Sequence, residues 1–329
     1  MNPLHETDAD TQPAGSDAAK DLGPRKRLGA GRSRGDKLGG GWGLVLFGLI
    51  FVGVGTAIAL AAADVIPTQD SNIHVPRWVL GIVGGVFALP GLLLMIRGVR
   101  GGLRKARLKS LARQHPEDPA LGDHEWDRHA SRDEGTRGIV GSFAGGVFVL
   151  LFSLPFLYIG FFEDAGIPFA IGGIVVALVG GGILAYGVYL LIRRLKYGGG
   201  RIEFSRFPFR TGEILEADWV GEKPIHDYQR ITFTLRCIEE EIEISGTGKN
   251  RSRRHVRYQR WADTFDVEGP GRYAAGSPIS LTFSPPAGAP STALSRNPPR
   301  YWECEIHAQT PGVDFRQTYL LPVYAPASA

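Results

Sequence analysis

The chain has 329 residues, a formal net charge of +4, a mean hydropathy of -0.04 and two cysteines, Cys237 and Cys304. That length allows two ordinary domains, and two cysteines exclude a disulfide framework. The near-zero hydropathy averages two unlike parts: long apolar blocks with basic connectors up to about Tyr197, and a polar, turn-rich remainder.

Residues 1–40 lack apolar periodicity. They run from acidic (Asp8, Asp10, Asp17, Asp21) to basic (Arg25, Lys26, Arg27, Arg32, Arg34, Lys37) with Gly and Pro throughout, which predicts a disordered cytoplasmic tail. The first apolar stretch begins too late and runs too long for a signal peptide. Four uncharged stretches follow: Gly43–Ala63, Trp78–Ile96, Ile139–Phe162 and Pro168–Ile192. Each has about the 20 residues needed to cross the hydrocarbon core. Four such spans predict an all-α transmembrane region of two hairpins, at residues 41–97 and 139–197, rather than buried helices of a soluble protein. Pro90 in the second span removes a backbone hydrogen bond and predicts a kink.

The flanks give the orientation. Arg97, Arg100, Arg104, Lys105, Arg107, Lys109 and Arg113 crowd the start of the connector at residues 98–138, and Arg193, Arg194, Lys196 and Arg201 follow the fourth span. The connectors Asp64–Arg77 and Glu163–Ile167 hold one basic residue and none. The positive-inside rule then puts both termini and the long basic loop in the cytoplasm. The cysteines are expected to be free thiols in a reducing compartment. A shared Gly-Gly pattern, Gly84-Gly85 leading to Arg97 and Gly180-Gly181 leading to Arg193, leaves open a duplication of the hairpins.

Small residues recur every fourth position: Gly53, Ala57 and Ala61; Gly81 and Gly85; Gly141 and Gly145; and Gly173, Ala177, Gly181 and Ala185. That spacing predicts close helix packing, and on the fourth span either an intrachain seam or a homo-oligomer contact. None of the spans contains Asp, Glu, Lys, Arg or His, which disfavours an ion or proton pathway.

In the basic loop, Leu103, Leu108 and Leu111 among the cations fit a continued helix or one lying on the lipid surface. His124 and His129 within Asp123-His124-Glu125-Trp126-Asp127-Arg128-His129 are five apart. On a helix they would diverge by about 140°, unlike the zinc-binding H-E-x-x-H spacing, so no metal site is predicted. Trp126 is expected to tuck the loop against a neighbouring domain.

Residues 198–329 suffice for one compact domain. Alternation puts Ile231, Phe233, Leu235 and Cys237 on one face of a strand at Arg230–Ile238, and Trp302, Cys304, Ile306 and Ala308 on one face at Arg300–Ala308. A last run alternates Val313, Phe315, Tyr319, Leu321 and Val323. Weaker strands are Ile202–Phe207, Glu213–Val220, Val256–Phe265 and Pro278–Phe283. About seven short strands between Gly/Pro-rich turns predict an all-β antiparallel sandwich with both thiols facing inward. Glu239, Glu240, Glu241 and Glu243, followed by Lys249, Arg251, Arg253, Arg254, Arg257 and Arg260, predict a hairpin that pairs an acidic strand with a basic one. Gly248-Lys249 fails as a P-loop because Glu243 and Asn250 occupy its defining positions. There is no G-x-S-x-G elbow, and His226, His255 and His307 are scattered, so no catalytic, cofactor-binding or metal residue is predicted. Specific nucleic-acid binding has no support either, since basic charge alone gives only non-specific attraction.

The loop His115-Pro116-Glu117-Asp118-Pro119 followed by Trp126, the strand Leu235-Arg236-Cys237, and Tyr301-Trp302 followed by Pro311-Gly312-Val313-Asp314-Phe315 and Leu321-Pro322-Val323 carry a resemblance. From about residue 40 onward the chain resembles an uncharacterised family of bacterial multi-pass membrane proteins with a domain of unknown function. The resemblance implies a closing immunoglobulin- or arrestin-like sandwich and brings no activity with it. The chain has Ala120 where relatives often carry Trp after the second proline.

Together these features predict a non-enzymatic inner-membrane scaffold or interaction protein that presents a cytoplasmic β-sandwich to a protein partner. Two alternatives are a component of a transport or channel assembly, and a membrane-bound enzyme with polar groups converging around His124, Glu125 and Asp127.

Overall fold

The computed structural model describes residues 22, 24–31, 33–35, 41–65, 76–162, 166–246 and 251–326. The first described element is a strand, β1 (Lys26–Ala30), inside the segment expected to be a disordered tail; residues 1–21 of that tail lie outside the described residues. Then come α1 (Trp42–Ala62), α2 (Arg77–Gln114), the short α3 (Pro119–Asp123), β2 (Ala130–Arg132), α4 (Gly135–Phe162) and α5 (Ile167–Tyr197). Each of the four long helices contains a stretch long and apolar enough to cross a membrane, with hydropathies of 2.1 to 2.5.

Helix α2 runs well past the expected end of its apolar span. Between Gly102 and His115 the residues are Leu, Arg, Lys, Ala, Ser and Gln, mostly strong helix formers without a breaker. The helix stops at Gln114, where Pro116 restricts His115 to extended backbone. The first part of the basic connector is therefore a continuation of the helix, one of the two forms expected from Leu103, Leu108 and Leu111 among its cations. Pro90 sits inside the same helix.

The helices pair as α1 with α2 and α4 with α5. Their seams are lined by glycines seven residues apart, not four. Gly48 and Gly55 face Gly91 and Gly84: a Cβ on Gly84 would stand 2.7 Å from the Gly55 carbonyl oxygen, and one on Gly91 would stand 2.8 Å from that of Gly48. On α5, Gly173 meets Leu157, Gly180 meets Leu150 and Gly187 meets Ser142. Gly53, Gly81, Gly85, Gly141, Gly145 and Gly181, from the four-residue stripes, have nothing within 4 Å. Contacts between the hairpins include the ring pairs Phe87–Phe152 and Trp78–Tyr158, at 6.3 and 5.6 Å.

The remaining strands are β3 (Gly200–Phe204), β4 (Phe209–Arg210), β5 (Leu215–Gly221), β6 (Ile225–Ser245), β7 (Ser252–Tyr273), β8 (Pro278–Phe283), β9 (Arg300–Ala308), β10 (Phe315–Leu321) and β11 (Val323–Tyr324). A five-stranded sheet has the order β1-β7-β6-β9-β10, and a four-stranded sheet the order β2-β3-β5-β8. All pairings in both are antiparallel, and β4 and β11 add a short parallel pair. The two large sheets thus recruit strands from the N-terminal segment and from the α2–α4 connector.

One core draws on both sheets. Ile231, Phe233, Leu235 and Cys237 of β6 and Trp302, Cys304, Ile306 and Ala308 of β9 are fully buried, as the alternation predicts. They meet Ile202, Trp219, Leu281 and Phe283 from the other sheet. The opposite face of β9 is also covered. Tyr301 packs with Ile238, Leu294 and Leu320 beneath Leu28 and Trp126, so the N-terminal strand and the connector roof the five-stranded sheet. The β6–β7 hairpin sets Glu240 opposite Arg257 and Glu243 opposite Arg254, the expected pairing of acid with base.

Candidate functional site at the junction of helices and sheets

The polar chemistry concentrates where three separate stretches of chain meet the five-stranded sheet. Arg34, just after β1, directs Nη1 to Glu134 at 2.9 Å and Nη2 to Glu303 of β9 at 2.8 Å. Its backbone N–H donates to Glu240 of β6, and its guanidinium lies 4.7 Å from the Tyr301 ring centre. Burial alone would lower the Arg34 pKa, but Glu303, Glu134 and Tyr301 outweigh it and leave the pKa raised. Glu303 is only 3% exposed and also accepts from Arg236, which reaches Glu305 in turn; Arg316 pairs with Glu305 at 2.6 Å. A buried charge survives only when paired and hydrogen-bonded, and this chain of alternating charges meets that condition.

Nearer the chain start, Arg25 stacks 4.2 Å over Tyr258 and pairs with Glu241, and Arg27 reaches Glu243 at 2.8 Å. Both arginines span β7 to reach carboxylates on β6. The acidic run therefore serves the N-terminal segment as well as its own hairpin.

The connector is fixed by a second cluster. Asp118 caps α3 by accepting from the Ala120 N–H at 3.1 Å, with Pro119 in the first turn, where a missing N–H costs nothing. Ala120, the first residue after that proline, is fully buried. Asp123 then accepts from the backbone N–H groups of Leu294 and Ser295 at 2.9 and 2.7 Å and from the Tyr324 hydroxyl at 3.0 Å. The same Tyr324 oxygen accepts from the Trp126 indole at 2.9 Å. Burial and the Asp123 charge push the Tyr324 phenol well up. Trp126 thus packs the connector against the sheets, as expected.

The residues considered for an enzyme do not converge. His124 packs edge-on against Trp126, with ring centres 4.7 Å apart, and burial with Arg104 nearby lowers its pKa to about 4. Glu125 is exposed and pairs with Arg104 at 3.0 Å, while Asp127 accepts from the His129 backbone. No group of three or more His, Cys, Asp or Glu able to hold a metal occurs among the described residues. Cys237 and Cys304 are buried free thiols, and burial pushes Cys237 up to about 12 and Cys304 higher still. Arg34, Glu303 and Asp123, the best-anchored polar residues, escape a reading of the sequence because their partners lie far along the chain.

Helix α5 enters the sheets directly. Gly198 ends it at φ 69°, and β3 begins at Gly200. Lys196 donates to the Pro311 carbonyl at 2.8 Å, and Lys223 reaches back to the helix. The buried pair Trp219 and Tyr319, 3.0 Å apart, sits beneath this joint, with Gln317 bridging to the Gly198 carbonyl.

No family model and no curated protein matches the chain. Among solved structures it is similar to Spo0M, a sporulation control protein from Bacillus subtilis, with 14% identity over 39% of this chain and 49% of that one and a TM-score of 0.26. The chain spans about half the length of that structure, and a likeness at this level carries no argument.

Proposed function

We propose that the chain is a four-span protein of a bacterial inner membrane with both termini in the cytoplasm, and that it works as a non-enzymatic scaffold. Its two large sheets form a β-sandwich held against the membrane face and offered to a protein partner. The hydropathy of the long helices and the basic residues that follow α1–α2 and α4–α5 support the placement. The resemblance to an uncharacterised multi-pass family agrees with it. Self-association through the outward part of the α5 small-residue face, Gly181 and Ala185, belongs to the same proposal.

The observation that carries the reading is the short, hydrogen-bonded joint between α5 and the sheets. With α5 running into β3, and Arg34, Asp123 and Trp126 clamping the sheets to the other segments, the β domain is positioned rather than tethered. A positioned domain suits a protein that presents a surface in a fixed orientation. Strand addition needs a free edge. The β10 edge bonds Asp133 and Glu134 through Thr318. On β7, β1 covers Val256–Gln259, and the rest carries Asp263 and Pro270, features that blunt an edge. Strand β8 ends the four-stranded sheet, with Ser280 and Thr282 exposed.

Photo-crosslinking residues at Ser280 and Thr282 of the full-length protein, in native membranes, test this. A discrete adduct from these positions, absent from matched positions at Asp266 and Glu268, is the expected result. No adduct from β8, or the same background from both strands, overturns the partner reading. A cysteine at Ser277 that labels only after permeabilisation checks the orientation.

A further inference from the structure

A cavity of about 490 Å³ opens between the distal part of α2, the end of α3 and the segment between β8 and β9. Its floor is apolar, with Leu108 and Leu294 both buried. Its rim is cationic: Lys105 and Lys109 stand one turn apart on α2, and Arg296 faces them from the β8–β9 segment. Among the described residues no carboxylate pairs with any of these three, whereas Arg104 beside them is engaged by Glu125. Asp123 also lines the cavity, but its oxygens are committed to Leu294, Ser295 and Tyr324. It thereby fixes the segment that carries Arg296. Gly122 lets α3 approach closely enough to form this wall, since a Cβ there would collide with Ala112.

We propose that this cavity binds a phosphate-bearing anion, with Lys105, Lys109 and Arg296 as its charge partners and the Leu108–Leu294 floor receiving an adjoining apolar group. Three cations left unpaired around one concavity repel one another, and a dianionic or doubly hydrogen-bonded phosphate relieves that repulsion. The phosphate has two sources, an anionic lipid headgroup or a soluble phosphate ester. At 1.5 Å per residue, Arg104 to Lys109 lie about 10 to 18 Å beyond Arg97 along the helix, at and past the outer edge of a headgroup layer. The lipid source rests on the membrane reading above, and the soluble source does not.

The test uses full-length protein in a neutral detergent. Binding of phosphatidylglycerol is followed by native mass spectrometry and binding of inorganic pyrophosphate by calorimetry. Wild type is compared with Lys105→Gln/Lys109→Gln/Arg296→Gln and with Arg100→Gln/Arg113→Gln/Arg254→Gln, which removes equal charge outside the cavity. All three cavity side chains are exposed, so the variant is expected to fold, and Lys105→Arg/Lys109→Arg provides a charge-preserving check. The proposal expects saturable binding of one probe that falls about fivefold for each cation removed, roughly a hundredfold in the cavity variant. It also expects little change in the control and retention in the arginine variant. Selective loss of phosphatidylglycerol identifies the lipid source, and selective loss of pyrophosphate the soluble one. Equal weakening by both triple variants, or no saturable binding of either probe, overturns the site.

Discussion

Arg34 places Nη2 2.8 Å from a Glu303 carboxylate oxygen, joining the start of the chain to the middle of β9. Both side chains are nearly buried, at 11% and 3% exposure, so removing one leaves the other charged in a poorly solvated place. Arg34→Met is expected to cost about 3 kcal/mol, with Arg236 still holding Glu303 and limiting the loss. Arg27→Ala breaks the half-exposed pair with Glu243 and is expected to cost less than about 1 kcal/mol. Denaturant unfolding of the solubilised full-length protein measures both, and equal losses would show that burial does not set the difference.

The Asp123–Tyr324–Trp126 chain predicts a coupled pair. Asp123→Asn replaces one acceptor oxygen with a donor facing donors and is expected to lose about 2 kcal/mol, while Tyr324→Phe strands the Trp126 indole and loses about 1 to 2 kcal/mol. The double variant should lose less than the sum, because both changes remove one shared hydrogen bond. Additive losses in a double-mutant cycle would mean that the two residues act independently.

His124 makes stability depend on pH. Burial first, and Arg104 second, lower its folded pKa to about 4, below the ordinary 6.5, so the folded protein prefers the neutral ring. Stability from this residue is therefore complete above about pH 6.5 and falls as pH drops toward 4, below which no more is lost. The full span is up to about 3 kcal/mol. Comparing wild type with His124→Gln from pH 7 to 4.5 isolates it from the carboxylates that titrate in the same range. The variant should show a shallower decline by about 2 kcal/mol, and parallel curves would count against a buried neutral ring.

Cys237 and Cys304 are wholly buried with raised pKa values, so neither offers a thiolate near neutral pH. Maleimide is expected to leave both unmodified in the folded protein and to label both in denaturant. Rapid labelling of either in the native state would show that the core opens at β6 or β9.

The β6 and β9 faces were legible in the sequence because a period of two, with Phe233 or Trp302 on one side, has only one burial solution. The positions of the four apolar helices were legible too, from uncharged runs of about 20 residues, although α2 continues well past its run. β1 was not: Lys-Arg-Leu-Gly-Ala has little strand character of its own, and its pairing depends on carboxylates more than 200 residues away. Arg34 looked like any cation of a basic tail until folding brought Glu134 and Glu303 to it. The helix seams carry a signal in the sequence at a period of seven, not of four. Gly84, Gly91 and Gly98, like Gly173, Gly180 and Gly187, recur every seven residues, as a seam of 3.5 residues per turn requires.

That difference in period separates two nearby glycines of α1. A Cβ on Gly55 would stand 2.6 Å from the Gly84 carbonyl oxygen, a backbone atom that cannot move without separating the helices, whereas one on Gly53 meets nothing within 4 Å. Gly55→Ala is therefore expected to destabilise the α1–α2 pair by about 1 to 3 kcal/mol. Gly53→Ala should stay within about 0.5 kcal/mol, with the better helix propensity of alanine in its favour. Thermal unfolding of both variants in the same detergent decides between the two seams. If Gly53→Ala proved the more harmful, a second molecule or another helix would have to occupy that outward face, and the four-residue stripe would regain its role as a contact.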